Sequence, residues 1–226
     1  MIAFGCPITK PEEYERWAGP SIQRCAEPDS LVIEQRGHGS IQNGLNAILD
    51  KVAARQDLEA LILLHQDVEL NDSNVVAAAR RAFSDPTVGI LGAAGSTLVR
   101  GVDWWEAKGY GQLRNPRLGG SFGWDWNATH GAHDVDTVDG CLMVLAPWVV
   151  RTVRLPVPAD GAFHGYDLDL CLRVRARGGR VMVDDLDPAH YISATFRDRD
   201  AWVSAAMRTR RSWDRELWPR EWKAEW

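Results

Sequence analysis

No two cysteines stand close enough in the chain to suggest a metal knuckle. Cys6, Cys25, Cys141 and Cys171 lie far apart, show no CxxC spacing and sit mostly in apolar stretches. That excludes a structural zinc site and points to reduced thiols in a cytosolic protein. A basic-then-apolar leader is missing, and no apolar run is long enough to span a bilayer, so a soluble, intracellular chain is expected. A positive excess is lacking: the formal net charge is -5 over 226 residues, which argues against nucleic acid as a partner. No GxGxxG follows the first apolar run, which counts against an NAD-dependent oxidoreductase. The CPITKPEE that stands there is neither Gly-rich nor basic, a poor phosphate loop for a nucleotidyltransferase. Internal repeats, linkers and low-complexity segments are lacking too.

What is present suits one α/β domain with a sizeable core, since 45% of the residues are hydrophobic. The apolar runs IAFGC (Ile2 to Cys6), LVIEQ (Leu31 to Gln35), ALILL and VGILGAAG (Val88 to Gly95) read as strands. PEEYERWAGPSIQRCAE reads as helical pieces broken by Gly19 and Pro20. IQNGLNAILDKVAA has helical spacing behind Ser40 as predicted N-cap, and NDSNVVAAARRAF is a helix opened by Asn71, Asp72 or Ser73. Strands alternating with helices mean a parallel sheet with right-handed crossovers. From about Leu98 to Asp136 the pattern changes to Gly, Asn, Trp and His with little periodicity, a loop length usually tied to function or mobility. VDGCLMVLAP is a further strand, a helix from about Asp167 stops at Gly178 and Gly179, and RVMVDD is the last strand.

Three short motifs carry chemistry, and each has a purely structural reading beside it. ALILL ends in His65, Gln66 and Asp67. The crevice beyond such strand ends is where open α/β sheets bind ligands, and Asp67 is a hard oxygen ligand of the kind a phosphate-bound cation needs; otherwise it caps the turn. Asp167 and Asp169 open a helix, where the dipole favours carboxylates; the functional alternative is a general base at a cleft. Asp139 and Gly140 precede a strand, so the backbone there can approach a ligand closely and Asp139 can accept from hydroxyls. Trp104, Trp105, Trp124 and Trp126 lie in the Gly-rich middle, where they either stack on a sugar or fill a small second core.

Taken together, IAFGCPI, EEYERWA, SIQNGLNAIL, LLHQDVEL, VGILGAAG, VDGCLMVLAPW and FHGYDLDLCLRVRARGGRV resemble a family 2 glycosyltransferase of the GT-A type, in the branch that carries HQD in place of the aspartate-rich motif. The resemblance implies an α/β, Rossmann-like and mostly parallel central sheet flanked by helices, with a small mixed acceptor-side region. It implies one domain over 1–226: a nucleotide-sugar half to about 100, an acceptor and catalytic half to about 200, and a Trp-rich C-terminal helix beyond. It implies inverting transfer from a nucleoside-diphosphate sugar to a hydroxyl of a glycan, lipid-linked or small-molecule acceptor. Pro7, Glu34, Gln66 and Asp67 would meet the donor, and Asp67 and His190 a divalent ion, Mn or Mg. Asp167 would be the base, with Trp124, Trp126, Asp139, Gly140 and His164 on the acceptor side. Gln66 stands where relatives are commonly acidic, and Tyr166 replaces the glutamate before the base. Arg197 or Arg199 would share the diphosphate charge if the ion is weak. Trp218, Trp222 and Trp226, spaced by four, suit packing on the domain, a homodimer or peripheral membrane contact at the inner face. A non-catalytic sugar- or nucleotide-binding module on the same fold is the rival.

Overall fold

The computed structural model describes residues 1–71, 74–101, 103–116, 120–121, 130–159, 163–191 and 199–217. β1 (Ile2–Ile8) is buried along its whole length, as a strand covered on both faces must be. α1 (Pro11–Glu13), a π-helical turn over Tyr14–Ala18 and α2 (Gly19–Cys25) follow. Gly19 and Pro20 therefore do not break the helix: the π turn absorbs the irregularity and Pro20 sits in the first turn of α2, where its missing N–H costs nothing. β2 (Leu31–Arg36) is an edge strand, and α3 (Ile41–Ala53) is capped by Ser40, whose side chain accepts from the Asn43 N–H. β3 (Ala60–Leu64) is fully buried and leads through a turn to β4 (Val68–Leu70). α4 (Val75–Phe83) starts after Asn74, later than the expected Asn71, Asp72 or Ser73, and no side chain caps it.

The apolar run from Val88 divides into β5 (Val88–Gly92) and β6 (Ala94–Thr97), which belong to different sheets. The aperiodic middle also carries short strands: β7 (Lys108–Gly111), β8 (Arg114–Asn115), β9 (Gly120–Ser121) and β10 (His133–Val135). β11 (Thr137–Val138), β12 (Leu142–Leu145), α5 (Pro147–Thr152), α6 (Tyr166–Arg175), β13 (Arg180–Val183), β14 (Pro188–His190) and α7 (Arg199–Leu217) complete the order.

The central sheet runs β10-β13-β5-β12-β3-β1-β2. β1, β2 and β3 are parallel to one another, as are β5 and β13, while β12 runs antiparallel to both β3 and β5 between the two groups. Side chains of β3 divide by parity: Leu61 and Leu63 pack with α3 and α5, and Ala60, Ile62 and Leu64 pack with α2 and α4. Each such leucine or isoleucine contributes roughly 1.5–3 kcal/mol of burial. A smaller mixed sheet, β4-β14-β8-β9, hangs off the end of β3. No helix among the described residues is long and apolar enough to cross a membrane.

Candidate functional site

β3 stops being apolar where it stops being covered. The chain turns at His65, whose N–H is bound by the Cys141 carbonyl at 2.9 Å, and the Val68 N–H closes the turn on the His65 carbonyl at 3.2 Å. Asp67 therefore stands at the tip of a turn rather than inside a strand. Gln66 points back to the exit of β1. Its carbonyl oxygen accepts from the Thr9 and Lys10 N–H groups, both at 2.8 Å, and its amide donates to Thr9 Oγ1 at 3.2 Å. An acidic residue there could accept those two bonds but not donate the third.

β14 brings the next residue. It pairs antiparallel with β4 so that His190 lies opposite Val68, and the Tyr191 N–H bonds the Asp67 carbonyl at 2.8 Å. That register sets His190 Nε2 3.4 Å from Asp67 Oδ1. Burial alone would raise the Asp67 pKa, but the His190 and His65 imidazoles more than offset it and hold it at about 2. His65 is driven down to about 4, by burial first and by His190 second, so it is neutral at pH 7.

The opposite wall is the start of α6. Gly165 adopts a left-handed conformation with φ of 81°, which swings the chain into the helix at Tyr166. Asp167 is half-buried, and its Oδ1 accepts from the Leu168 N–H at 2.9 Å. Burial and, next, the Asp139 carboxylate push its pKa up to about 7. Asp139 Oδ1 accepts from the Cys141 N–H at 2.8 Å. Gly140 is where Tyr166 comes closest: a Cβ there would lie 2.2 Å from the phenol oxygen. The close approach that this glycine allows is thus made by the protein's own tyrosine, which donates to the Gly140 carbonyl at 2.9 Å and meets His65 Nε2 at 2.5 Å.

At the far end of the same edge, Cys6 and Pro7 lie opposite Glu34 and Gln35 in the β1–β2 register, and Glu34 binds Arg36 at 2.7 Å. Tyr14 on the π turn also bonds Glu34; its phenol is raised by burial and then by that carboxylate. Nothing in the sequence marked Tyr14, because its position depends on a π turn that apolar spacing does not show. Trp17 on the same turn stacks on Tyr191 at 3.5 Å and 10°, a contact equally absent from the pattern. His164 is half-buried and lines an open cleft with Gln42, Leu155, Asp169, Arg208 and Thr209. Trp104 fills a small core with Val99, Leu168 and Leu172, against which Trp105 packs. Trp124, Trp126, Arg197, Trp218, Trp222 and Trp226 lie outside the described residues, as does the side chain of Arg199.

Ligand atoms of His65, Asp67 and His190 lie within 4.8 Å of one another, as do those of Asp139, Cys141 and His190. His190 Nδ1 is buried with no hydrogen-bond partner, a costly state for a polar atom and one that a cation or a ligand hydroxyl would relieve. The residues therefore fit a divalent ion. Among the described residues the chemistry gathered here is the strongly acidic Asp67 carboxylate, the Asp167 carboxylate poised near neutrality, the Asp139 carboxylate beside it, the Cys141 thiol and two imidazoles.

Comparison with known proteins follows the same lines. A family model described as "Glycosyltransferase like family" matches residues 20–215. The streptomycin biosynthesis protein StrF of Streptomyces griseus is 32% identical over 194 residues, covering 84% of this chain. The chain spans 66% of that relative's length, just under two thirds. Among solved structures, A197 from STIV is similar with a TM-score of 0.55 at 13% identity, covering 85% of this chain and 86% of its own. The mannosyltransferase PcManGT from Pyrobaculum calidifontis, solved with GDP-Man and Mn2+, has a TM-score of 0.50 at 15% identity, covering 89% of this chain and 59% of its own.

Proposed function

This chain belongs to the glycosyltransferase-like family, and from that premise we propose that it is an inverting glycosyltransferase. It moves a sugar from a nucleoside diphosphate to an acceptor hydroxyl. One observation carries the reading: of the three carboxylates that act on Cys141 and Tyr166, those of Asp67, Asp139 and Asp167, Asp67 is held at about 2 and Asp167 at about 7. Sites that separate the pKa values of neighbouring acids divide their roles in this way.

In this reading the donor lies along the ends of β1, β2 and β3, with its base near Pro7, Tyr14 and Glu34. The Gln66 side chain holds the Thr9–Lys10 turn in place. Asp67 and His190 face the diphosphate, and a divalent cation held there would neutralise the charge that grows as the diphosphate leaves. Asp167 faces the acceptor and takes the proton from its attacking hydroxyl; a pKa near 7 suits a base working near neutral pH. Asp139 lies beside Asp167 and keeps its proton affinity high. His164 and the cleft around it meet the body of the acceptor, with Gly140 at its edge and Trp124 and Trp126 as further sugar contacts. The likeness to a streptomycin biosynthesis protein favours small polyhydroxylated acceptors as the first to test. A cytoplasmic location and a twin subunit or membrane surface against the C-terminal Trp-rich segment belong to the same proposal.

The competing reading, a nucleotide-sugar-binding module without turnover, draws on the Tyr166 hydroxyl next to Asp167, which is engaged by His65 and Gly140. A thermal-shift panel of nucleoside diphosphates and their sugars, GDP-mannose included, with Mn2+, Mg2+ or EDTA, finds the donor by mass action. Mass spectrometry with the stabilising donor and a set of small polyols then reads transfer. A shift with product formation is expected. A shift without transfer to any acceptor favours the binding module, and no shift overturns the donor site.

A further inference from the structure

We propose that Phe163 is the platform of the acceptor side: a ring-shaped sugar or cyclitol lays its flat C–H face on the exposed phenyl ring and turns its hydroxyls to His164 and Asp167, so that the protein prefers cyclic polyols to open-chain ones. The inference rests on the reading of α6 as the acceptor wall and names the acceptor class that this wall would take.

Exposure comes first. Phe163 is 47% exposed. Among the described residues every other phenylalanine, tyrosine and tryptophan is buried or half-buried. A lone apolar side chain on an open surface needs no explanation, but this one stands beside His164 and four residues before Asp167. Its ring centroid lies 5.8 Å from that of His65 at the end of β3. It lies 5.7 Å from Tyr166 and 5.5 Å from His164 on the α6 side. The phenyl ring thus sits where the two walls of the site meet, which is where an attacking hydroxyl must arrive. The three neighbours are inclined to it by 56°, 69° and 89°, so none of them stacks flat upon it. A ring held by its neighbours before a ligand arrives loses little freedom on binding.

Chemistry comes second. A pyranose or cyclitol with equatorial hydroxyls has an apolar C–H face and a polar rim. A phenyl ring offers dispersion and a weakly negative face but no hydrogen bond, so it reads flatness and leaves the hydroxyls to others. Those others stand alongside: the His164 imidazole at the open cleft, with Gln42, Arg208 and Thr209 beyond it, and the Asp167 carboxylate. One apolar surface ringed by a few polar groups is the usual lining of a small-molecule site. An open-chain polyol has no lasting flat face and must give up several bond rotations to lie along the ring. Phe163 is carried by the segment that leads into the base, and for that reason the acceptor rather than the donor's sugar is assigned to it.

The test measures binding without turnover. D-glucose and its open-chain alditol, D-sorbitol, are titrated into the full chain with and without GDP or UDP, and contact is read by saturation-transfer difference NMR. D-glucose is expected to bind at least about fivefold tighter than D-sorbitol, with its C–H protons taking up most of the saturation. Phe163→Ala, and Phe163→Leu, which is apolar but not flat, should each erase that preference by weakening D-glucose about fivefold. Phe163→Trp should keep it, and nucleotide affinity by calorimetry should be the same in all three variants. Equal binding of the two polyols, D-glucose affinity untouched in Phe163→Ala, or full retention in Phe163→Leu would overturn the proposal. So would a loss of GDP-mannose affinity in Phe163→Ala with GDP affinity intact, which would give the ring to the donor's sugar. Nucleotide binding without binding of either polyol would overturn the platform and leave the donor site standing. D-glucose held through Phe163 without binding of any nucleotide would do the reverse.

Discussion

Asp67 and Asp167 are the same side chain on two walls of one site, and their surroundings drive them apart. Asp67 sits at a strand end against the His190 imidazole and stays ionised down to about pH 2. Asp167 sits at a helix start beside a second carboxylate and holds its proton up to about pH 7. The helix dipole and free N–H groups at α6 favour the ionised form, yet burial and Asp139 win. A carboxylate's task is thus set less by its type of element than by the charge facing it. A permanent anion is useful to a cation and a diphosphate; a carboxylate titrating near neutrality is useful to a proton.

Removing one member of the pair at a time is the sharpest way to break this contrast. Asp167→Asn should lower turnover by about 10²–10⁴, the usual weight of a general base, with nucleotide affinity by calorimetry unchanged; retained turnover would take the proton from Asp167. Asp67→Asn should do the reverse, reducing cation-dependent nucleotide affinity at least about tenfold, as a lost metal contact does. Gly140→Ala forces a Cβ into the Tyr166 hydroxyl and should destabilise the fold by about 1–3 kcal/mol through overpacking. Adding Tyr166→Phe should recover part of that loss in a denaturation cycle, and simple additivity would show that the two do not meet. The smallest effect belongs to Trp213→Phe. Trp213 sits at a kink in α7 and donates to Asp169 Oδ1 at 2.6 Å, so its loss should cost about 1 kcal/mol and leave both carboxylates' titrations in place.

The two residues also give opposite dependences of stability on pH. Asp167 has a folded pKa raised above its ordinary 3.8, so the folded state holds its proton more tightly. Its contribution is fully present below about pH 4 and is lost as pH rises through about 7. Asp67 is depressed from 3.8 to about 2, so its contribution is present above about pH 4 and is lost as pH falls toward 2. In chemical denaturation, Asp167→Asn should remove a decline between pH 4 and 7 that Asp67→Asn preserves.

The buried strands were legible because a strand covered on both faces is a plain apolar run, and β1, β3 and β5 all are. The polar residues that close ALILL tell where that strand ends and so mark Asp67; Asp167, at a helix start where a carboxylate has a structural reason to be, stands out only through the resemblance that GYDLDLCLR carries. What could not be read was pairing between short, distant pieces. β4 and β14 have three residues each, too few for any period, yet their register is what puts His190 against Asp67. β12 looks like another parallel strand by composition, and only its hydrogen bonds show that it runs the other way. Tyr166 read as a missing glutamate; its bond to His65 spans 101 residues and has no local trace.

Carbon-13 titration of the aspartate carboxyls by NMR, with Asp67→Asn and Asp167→Asn used for assignment, measures the division of labour directly and needs no donor or acceptor. One carboxyl should titrate near pH 7 and vanish in Asp167→Asn, while the signal lost in Asp67→Asn should stay ionised to about pH 2. Both carboxyls titrating together near pH 4 would contradict the account.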